Sequence, residues 1–359
     1  MKILILSNLT SYTYNFRYEI IRSMKEAGHE ITVACHNDDE KKSSELEALG
    51  CRMEEVSFNG KGTNVSEELR LLHTYSKLIR TESPDIIFTF TIKMNLYGGI
   101  AAKRARVPFV PMITGLGELE KKGKLRILLL CMHRYVMPEA KCVVFQNEDN
   151  RVFFRDNGIG FKKSVVVPGS GINLEKFRPA PYPEGGKTVL SFIGRLTKAK
   201  GIDNFLDVAE DMTSDETEFH AAGTADEEYR ERLNRLCKEK KLVYEGALSD
   251  VRPLLEKTSC LVLPTFHPEG ISNVILEACA MARPVICTSR TGCKEIVRDN
   301  INGFYCEAKD SENLKSVVRR FCELNTETRS EMGLAGRKIV EENFDRGIVV
   351  DSYMDMLKK

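Results

Sequence analysis

Lys2-Ile3-Leu4-Ile5-Leu6-Ser7 is a short apolar run rich in β-forming residues, and Asn15 to Ala27 follows it with apolar side chains at helical spacing. Gly28 is suited to end that helix, because glycine readily adopts the left-handed conformation that follows many helices. Glu30 to Ala34 is a second β-rich run. This order predicts a βαβ unit, and therefore a mostly parallel sheet with helices on both faces.

The same alternation continues along the chain, where further apolar runs predict strands. In the first half these runs are Asp85 to Phe90, Pro108 to Thr114 and Lys141 to Gln146. In the second half they are Thr188 to Ile193, Glu218 to Ala222, Leu242 to Tyr244, Cys260 to Leu263, Val285 to Thr288 and Phe304 to Cys306. A chain of 359 residues exceeds one ordinary domain, so we expect two doubly wound α/β domains.

Prolines and glycines are concentrated between Phe177 and Lys187, where we place the inter-domain linker. We therefore expect an N-terminal Rossmann-like domain over 1–178 and a C-terminal one over 179–340. Ser311 to Lys359 has a helical and mostly polar pattern. This stretch is expected to wrap the second domain, and its end, 341–359, to return to the first.

The composition excludes some classes of function. The 53 basic and 52 acidic residues nearly cancel, so nothing favours nucleic-acid binding. The 11 cysteines are scattered without a CxxC pair, which indicates reduced thiols in a cytosol. Polar residues interrupt the first apolar run too early for a signal peptide, and no apolar run is long enough to span a bilayer. We expect a cytoplasmic protein.

A helix start lies between two carboxylates in the stretch HPEGISNVILE, residues 267–277. Ser272 is a favourable N-cap for a helix predicted to begin just after it. The amides of Gly270 and Ile271 would then lie at the helix N-terminus, where unpaired donors and the helix dipole favour an anion such as phosphate. Glu269 precedes this start, and Glu277 falls about one turn into the helix.

A second candidate anion site follows the first strand of the second half, where the sequence reads GRLTKAKG over 194–201. Arg195 can bind two phosphate oxygens and Lys200 can act as a point charge, while Gly194 and Gly201 permit close backbone approach. The spacing matches neither a Walker A loop nor the Rossmann GxGxxG, so nicotinamide binding has little support. Taken alone, these cations are equally consistent with a solvated loop.

These two stretches resemble the motifs of glycosyltransferase family 4, which has the GT-B fold of two Rossmann-like domains facing a cleft. Further similar motifs of the second half are Gly171 to Phe177, Gly246 with Ser249-Asp250-Val251, Pro284-Val285-Ile286, Gly292 with Glu295-Ile296-Val297, and Asn302-Gly303-Phe304. Four motifs of the first half resemble one bacterial branch of the family, whose members extend lipid-linked oligosaccharides and surface polysaccharides. These motifs are Tyr14-Asn15-Phe16-Arg17, Lys93 to Gly98, Thr114 to Gly117 and Gln146-Asn147. The resemblance covers the whole chain.

The resemblance implies transfer of a hexose or N-acetylhexosamine from a nucleotide sugar, expected to be UDP-linked, with retention at the anomeric carbon. The expected acceptor is a polyprenyl-diphosphate-linked glycan. Arg195 and Lys200 would neutralise the diphosphate, Glu277 would bind the ribose, and Glu269 the transferred sugar. The remaining donor contacts are expected from Gly194, Gly270, Ile271, Ser272 and Asn273. No cofactor and no metal ion are expected, and no Asp-x-Asp triplet occurs.

The acceptor side has weaker support. Many members of the family carry a histidine in the first domain near the reacting sugar, but Phe88 to Lys93 contains none. The acceptor is therefore assigned to Lys93, Asn95, Thr114 and Asn15. A nucleotide-sugar epimerase and a non-catalytic sugar-nucleotide-binding subunit remain as alternative functions.

Two further features have alternative interpretations. His267 lies beside the donor motif, and we favour a local structural role for it over a catalytic one. The segment 119–136 mixes apolar residues with the basic Lys121, Lys122, Lys124, Arg126, His133 and Arg134. It suits contact with an anionic membrane, which would place the protein at the inner face of the membrane. A core helix with charged ends is the alternative.

Overall fold

A computed structural model describes residues 1–57, 64–267 and 270–358. Its strands are β1 Lys2–Leu9, β2 Glu30–His36, β3 Arg52–Glu55, β4 Ile86–Phe90, β5 Phe109–Ile113, β6 Val143–Phe145, β7 Ser164–Val166, β8 Thr188–Ile193, β9 Thr217–Ala222, β10 Val243–Gly246, β11 Cys260–Leu263, β12 Val285–Thr288 and β13 Gly303–Cys306. Its α-helices are α1 Thr10–Glu26, α2 Glu40–Ala48, α3 Val65–Glu82, α4 Gly99–Ala105, α5 Lys124–Val136, α6 Glu148–Asp156, α7 Ile202–Met212, α8 Arg230–Lys238, α9 Arg252–Lys257, α10 Asn273–Ala280, α11 Ser311–Glu323, α12 Thr326–Asn343 and α13 Arg346–Leu357.

The chain folds into two compact units. Unit 1 comprises Met1–Ser170 together with Arg346–Lys359, and unit 2 comprises Gly171–Asp345. The chain therefore passes between the units twice. The first passage lies at 170–171 rather than at the expected 178–179, and the return lies at 345–346 rather than 340–341.

The proline-rich segment from Phe177 to Lys187 is part of unit 2, so its assignment as the linker is wrong. The fully buried Arg283 donates hydrogen bonds to the carbonyls of Ala180 and Pro181, at 3.3 and 2.8 Å. The Tyr182 hydroxyl donates a hydrogen bond to the carbonyl of Ser259, also in unit 2, at 3.0 Å. Proline has no amide to donate, so this irregular segment is held mainly through its carbonyls.

Unit 1 contains a parallel sheet whose described strands run in the order β3-β2-β1-β4-β5-β6-β7. The central strands are apolar throughout, because helices cover both of their faces. One face packs under α3, α4, α5 and α6. The other packs under α1 and α13, where Val349 and Tyr353 share a core with Ile20 and Ile21. The sheet thus needs α13, which follows all of unit 2 in the sequence.

Unit 2 contains a second parallel sheet, with the described order β10-β9-β8-β11-β12-β13. The order reverses between β8 and β11, as it does between β1 and β4 in unit 1. Ligands of such sheets bind at this reversal, beyond the carboxyl ends of the strands. The two doubly wound sheets confirm the predicted fold class. Within the described residues, no helix combines the length and hydrophobicity needed to cross a membrane.

Candidate functional site

Two loops meet where the strand order of unit 2 reverses. One follows β8 over 194–201, and the other follows β11, described for 264–267 and again from Gly270. The hydroxyl of Thr265 donates to the carbonyl of Ala199 at 3.2 Å, and the amide of Phe266 donates to the same carbonyl at 3.1 Å. The loop 194–201 is therefore hydrogen-bonded to the two residues that directly precede the stretch 267–277.

Gly201 allows this close approach. Its φ of 79° lies in the left-handed region, and a Cβ atom there would lie 2.1 Å from the carbonyl oxygen of Pro264. Such a contact is far shorter than van der Waals distance, so any other residue would push the two loops apart.

The helix α10 begins where the sequence predicts. Ser272 is its N-cap, as predicted, and has an extended backbone, although the Ser272 hydroxyl makes no capping hydrogen bond. Ser272 is buried instead, and its amide donates to the carbonyl of Gly292 at 2.9 Å. The first amides of a helix have no acceptor within the helix, so this start can bind an anion.

The donor-side candidates of α10 lie on one face of the helix. Asn273, Val274 and Glu277 are half-buried, whereas Ile275 and Leu276 are packed into the core of unit 2. Glu277 follows Asn273 by one helical turn, so the two side chains are neighbours. Gly270 and Ile271, just before the helix, are both buried.

The structure describes the two loop cations but not Glu269. Arg195 is exposed, and Lys200 is half-buried at the end of a 3-10 turn, Lys198–Lys200. The structure thus places both cations on the loop that contacts the segment before α10. Glu269 lies outside the described residues, and its proposed role stays a prediction. His267 is half-buried, and its amide lies 3.4 Å from the hydroxyl of Thr265.

Sequence reasoning missed several residues of this edge. The hydroxyl of Thr288, at the end of β12, donates to the carbonyl of the fully buried Thr265 and braces the loop. The ammonium of Lys309, beyond β13, lies 4.5 Å from the ring centroid of Phe266, a cation–π distance. The signal available in the sequence for this hydrogen bond was a threonine at or near the end of each apolar strand. No signal in the sequence indicates Lys309, because only the folded sheet brings it beside Phe266.

Two acceptor-side candidates of unit 1 are engaged within the unit. Lys93 pairs with Glu68 at 2.5 Å, and their side chains are 20% and 14% exposed. Asn95 is 1% exposed; it accepts from the hydroxyl of Thr89 at 2.7 Å and donates to the carbonyl of Met112 at 2.8 Å. Asn95 therefore joins β4 to β5 inside the core, which speaks against an acceptor contact by its side chain.

The other two acceptor-side candidates are more accessible. Thr114 is half-buried and directly follows β5. Asn15 is exposed on α1, and its carbonyl accepts from Arg346 at 3.3 Å. Arg346 also pairs with Glu19 at 2.7 Å, which holds the start of α13 on α1. Roles for Thr114 and Asn15 stay predictions.

Thr91 has a strained backbone at the reversal point of unit 1. Its φ is 74°, a value that β-branched residues rarely adopt. Thr91 directly follows β4, and the amide of Asn95 donates to the carbonyl of Thr91 at 2.9 Å. Strain of this kind is kept only where the surroundings enforce it, and it concentrates at functional sites. No pattern in the sequence indicates this strain.

Arg17, from the quoted motif of the first half, is buried in unit 1. Its guanidinium lies 4.6 Å from the ring centroid of Phe90 and donates to the hydroxyl of Ser170 at 2.9 Å. Burial lowers the pKa of Arg17 to about 10, so it keeps its charge at neutral pH. Arg17 thus binds Ser170, the residue at which the chain leaves unit 1 for unit 2.

The segment 119–136 packs one face of α5 into the core, and its contact with a membrane stays a prediction. On α5, Ile127, Leu128 and Tyr135 are exposed by 62, 56 and 53%, whereas Leu130 and Val136 are buried. One helix face is thus part of the core and the other presents apolar side chains to solvent. The basic residues Lys121, Lys122 and Lys124 are exposed at its N-terminal end.

Three of the basic residues of this segment serve the fold. His133 is buried, and its Nδ1 atom is hydrogen-bonded to the carbonyl oxygen of Leu129 at 2.7 Å. Burial lowers the pKa of His133 to about 4, so its side chain is neutral at pH 7. Arg126 and Arg134 both donate to Asn157, each with a shortest distance of 2.8 Å. The charge available to a membrane is therefore smaller than the sequence suggests.

Across the described ranges, no cluster of three or more His, Cys, Asp or Glu side chains is arranged to hold a metal ion. Comparison with protein families gives two matches. The model described as glycosyl transferase 4-like matches residues 2–147, and the model described as glycosyl transferases group 1 matches residues 187–323.

Curated relatives align with most or all of the chain. An N,N'-diacetylbacillosaminyl-diphospho-undecaprenol alpha-1,3-N-acetylgalactosaminyltransferase of Campylobacter jejuni is 25% identical, with 99% of this chain and 98% of the relative aligned. A UDP-Gal:alpha-D-GlcNAc-diphosphoundecaprenol alpha-1,3-galactosyltransferase of Escherichia coli is 26% identical, over 71% of this chain and 70% of the relative. Among solved structures, Anabaena Alr3699/HepE in complex with UDP-glucose has a TM-score of 0.82 at 18% identity, over 99% of both chains.

Proposed function

We propose, from the premise that this chain belongs to the two-domain glycosyltransferases of the GT-B fold, that it transfers a hexose or N-acetylhexosamine from a UDP-sugar to a polyprenyl-diphosphate-linked glycan with retention of anomeric configuration. Family membership supports the class of reaction. The donor, the acceptor and the stereochemistry are our inference.

One observation carries the proposal. The loop with Arg195 and Lys200 is hydrogen-bonded through Ala199 to the loop before α10, at the reversal point of unit 2. Two cations and a helix start are thus placed at the edge where such sheets bind nucleotides. A diphosphate needs this combination of fixed positive charge and amide donors.

The same groups would assist the chemistry. The bond between the anomeric carbon and the diphosphate breaks, and the acceptor oxygen forms a bond to that carbon on the same face. The acceptor hydroxyl passes its proton to the departing phosphate oxygen. Negative charge therefore grows on the diphosphate, where Arg195, Lys200 and the amides of Gly270 and Ile271 would stabilise it without reorganising. Glu277 would bind the ribose, and Glu269 the transferred sugar.

The names of relatives support the choice of substrates. One relative is named for a UDP-galactose donor and two for undecaprenol-diphosphate acceptors. We infer that this chain uses substrates of the same classes, with the acceptor bound by unit 1. We also infer that neither a metal ion nor an organic cofactor takes part, so transfer should persist in EDTA.

Contact with the membrane would bring unit 1 to such an acceptor. The exposed Ile127, Leu128 and Tyr135 give α5 an apolar face, and three exposed lysines lie at its N-terminal end. We infer that this helix lies in the interface of an anionic membrane at the cytoplasmic side. Ser substitution of Ile127 and Leu128 together should release the protein from vesicles.

A panel of nucleotides and nucleotide sugars tests the donor. A ligand that binds only the folded protein raises its melting temperature in proportion to the logarithm of its concentration over its dissociation constant. We expect UDP and one or more UDP-sugars to raise it, and GDP and ADP at equal concentration to have less effect. A larger shift with GDP or ADP would contradict the assignment of the base.

Product analysis tests the reaction. With a UDP-sugar and a polyprenyl-diphosphate glycan, we expect the coupling constant of the new anomeric proton to match that of the donor. Inversion would contradict the retaining mechanism. Conversion of the donor without an acceptor would indicate an epimerase, and donor binding with no turnover would indicate a non-catalytic subunit.

A further inference from the structure

A basic cavity lies at the edge of the unit 1 sheet opposite Thr91 and Thr114. It has a volume of about 460 Å³ and lies at the amino ends of β5 and β6, whereas Thr91 and Thr114 lie at the carboxyl ends of the sheet. Four cations line it, Lys103, Arg106, Lys141 and Lys162, with Glu139 as the single carboxylate among the lining residues.

The carboxylate does not balance these cations. Glu139 lies 3.6 Å from Lys103 and 3.8 Å from Lys162, so two cations share one partner at long distances. The ammonium of Lys141 donates to the carbonyl of Met356 at 2.8 Å, which is a neutral partner. An anion entering the cavity would therefore meet an excess of positive charge.

The end of α4 explains part of this charge. Lys103 lies in the last turn of α4 and Arg106 is its C-cap, positions where cations complement the helix dipole. Lys141 and Lys162, however, precede β6 and β7 and have no such role. The cavity is thus a convergence of cations from several elements.

Lys103, which lines the cavity, also contacts the outer face of α5. The ammonium of Lys103 lies 3.8 Å from the ring centroid of Tyr135 and 3.3 Å from its carbonyl oxygen. Tyr135 is 53% exposed and shares the outer face of α5 with Ile127 and Leu128. Tyrosine at such a boundary is typical of the level of lipid headgroups.

We propose that this cavity binds the phosphate headgroup of an anionic phospholipid whose acyl chains lie along the apolar face of α5. A phospholipid carries its phosphate directly beside its apolar chains. On unit 1, the basic cavity likewise lies beside the apolar face of α5. The proposal rests on the membrane contact inferred above, and it adds a recognition site at the end of α5 opposite Lys121, Lys122 and Lys124.

Binding of the full chain to vesicles tests the site. Three compositions are compared: phosphatidylcholine alone, phosphatidylcholine with phosphatidylglycerol, and phosphatidylcholine with oleate at the same surface charge. We expect binding about fivefold tighter to phosphatidylglycerol than to oleate vesicles, since only the first presents a phosphate. In the double variant Arg106→Gln with Lys162→Gln, that difference should vanish, and binding to phosphatidylglycerol vesicles should weaken about tenfold.

The control is Lys238→Gln with Arg319→Gln, which removes the same charges from exposed positions of unit 2. It should bind as the parent does. Equal binding of the parent to the two anionic vesicles, or an unchanged preference in the cavity variant, would overturn the headgroup site while leaving the membrane contact of α5 in place. If the parent bound no vesicle, both would fall. Transfer to a water-soluble acceptor should be normal in the cavity variant, which shows that it is folded.

Discussion

Units 1 and 2 share a strand order, yet their reversal points differ. In unit 2, the loops after β8 and β11 are hydrogen-bonded to each other and carry Arg195 and Lys200 beside a helix start. In unit 1, Lys93 is paired with Glu68 and Asn95 is buried in hydrogen bonds of the core. The fold thus provides the same place twice, and the side chains decide what each place can bind.

The largest effect is expected when a substitution removes a cation from the unit 2 loop. Arg195→Ala should lower kcat/KM for sugar transfer about 10²- to 10³-fold, because the charge that grows on the diphosphate loses a fixed partner. Arg195 is exposed, so the melting temperature should not change. Steady-state kinetics measure the change in kcat/KM, and thermal unfolding measures the melting temperature.

Two other variants make this result specific. Arg230→Ala removes an exposed arginine of α8 and should leave transfer unchanged. Lys93→Met should instead lower the melting temperature, because Glu68, 14% exposed, loses its cation. If Arg195→Ala transferred sugar like the parent, the difference between the two reversal points would lose its functional meaning.

The next effect tests how tightly the unit 2 loops are joined. Gly201→Ala should lower the free energy of unfolding by about 2 to 4 kcal/mol, because its Cβ atom would lie 2.1 Å from the carbonyl oxygen of Pro264. Gly28→Ala in unit 1 is the matched control, with a φ of 80° and no atom within 4 Å of the added Cβ. It should cost about 1 kcal/mol. Equal costs in urea unfolding would show that the loops can separate.

Acid should affect unit 1 at higher pH than unit 2. Burial lowers the pKa of His133 from 6.5 to about 4, so the unfolded chain binds the proton first and stability falls as pH decreases from 6.5 towards 4. The loss should reach about 2 kcal/mol at pH 5. In unit 2, Arg235 and Arg232 lower the pKa of Glu210 to about 2, so its contribution is lost only below about pH 4.5.

Unfolding measured between pH 7 and pH 5 separates these effects. His133→Asn should reduce the pH dependence in this range, and Glu210→Gln should leave it as in the parent. An undiminished dependence in His133→Asn would mean that another group of the protein titrates there.

The smallest effect concerns the strained Thr91. Thr91→Gly should be more stable than Thr91→Ala by about 1 kcal/mol, because only glycine adopts a φ of 74° without strain. Chemical unfolding of the two variants gives the difference. The opposite order would mean that unit 1 has no strain at its reversal point to compare with the glycine-based loop of unit 2.

Sequence patterns predicted the buried strands well because these strands are continuous apolar runs. They missed β3 and β7, Arg52–Glu55 and Ser164–Val166, which lie at the edges of the unit 1 sheet and have no fully buried residue. The linker was misplaced because proline and glycine mark irregular backbone wherever it lies. The hydrogen bonds from Arg283 show that Ala180 and Pro181 pack on unit 2.

The candidate site was predictable where local pattern determines it. The start of α10 and the glycine-flanked loop at 194–201 are local features, and both lie where the sequence places them. The hydrogen bonds from Thr265 and Phe266 to Ala199, and the approach of Lys309 to Phe266, depend on which strands become neighbours. No spacing in the sequence specifies these contacts.

The position of α13 has a consequence for the order in which the protein is made. On the ribosome, residues 1–170 emerge first, but the helix that completes their sheet emerges only after all of unit 2. Tyr353 is fully buried, with its ring 5.4 Å from that of Phe88, so this face of the nascent sheet stays uncovered while unit 2 is synthesised. The unit that begins first is therefore completed last, and its exposed apolar face is where a chaperone would be needed during translation.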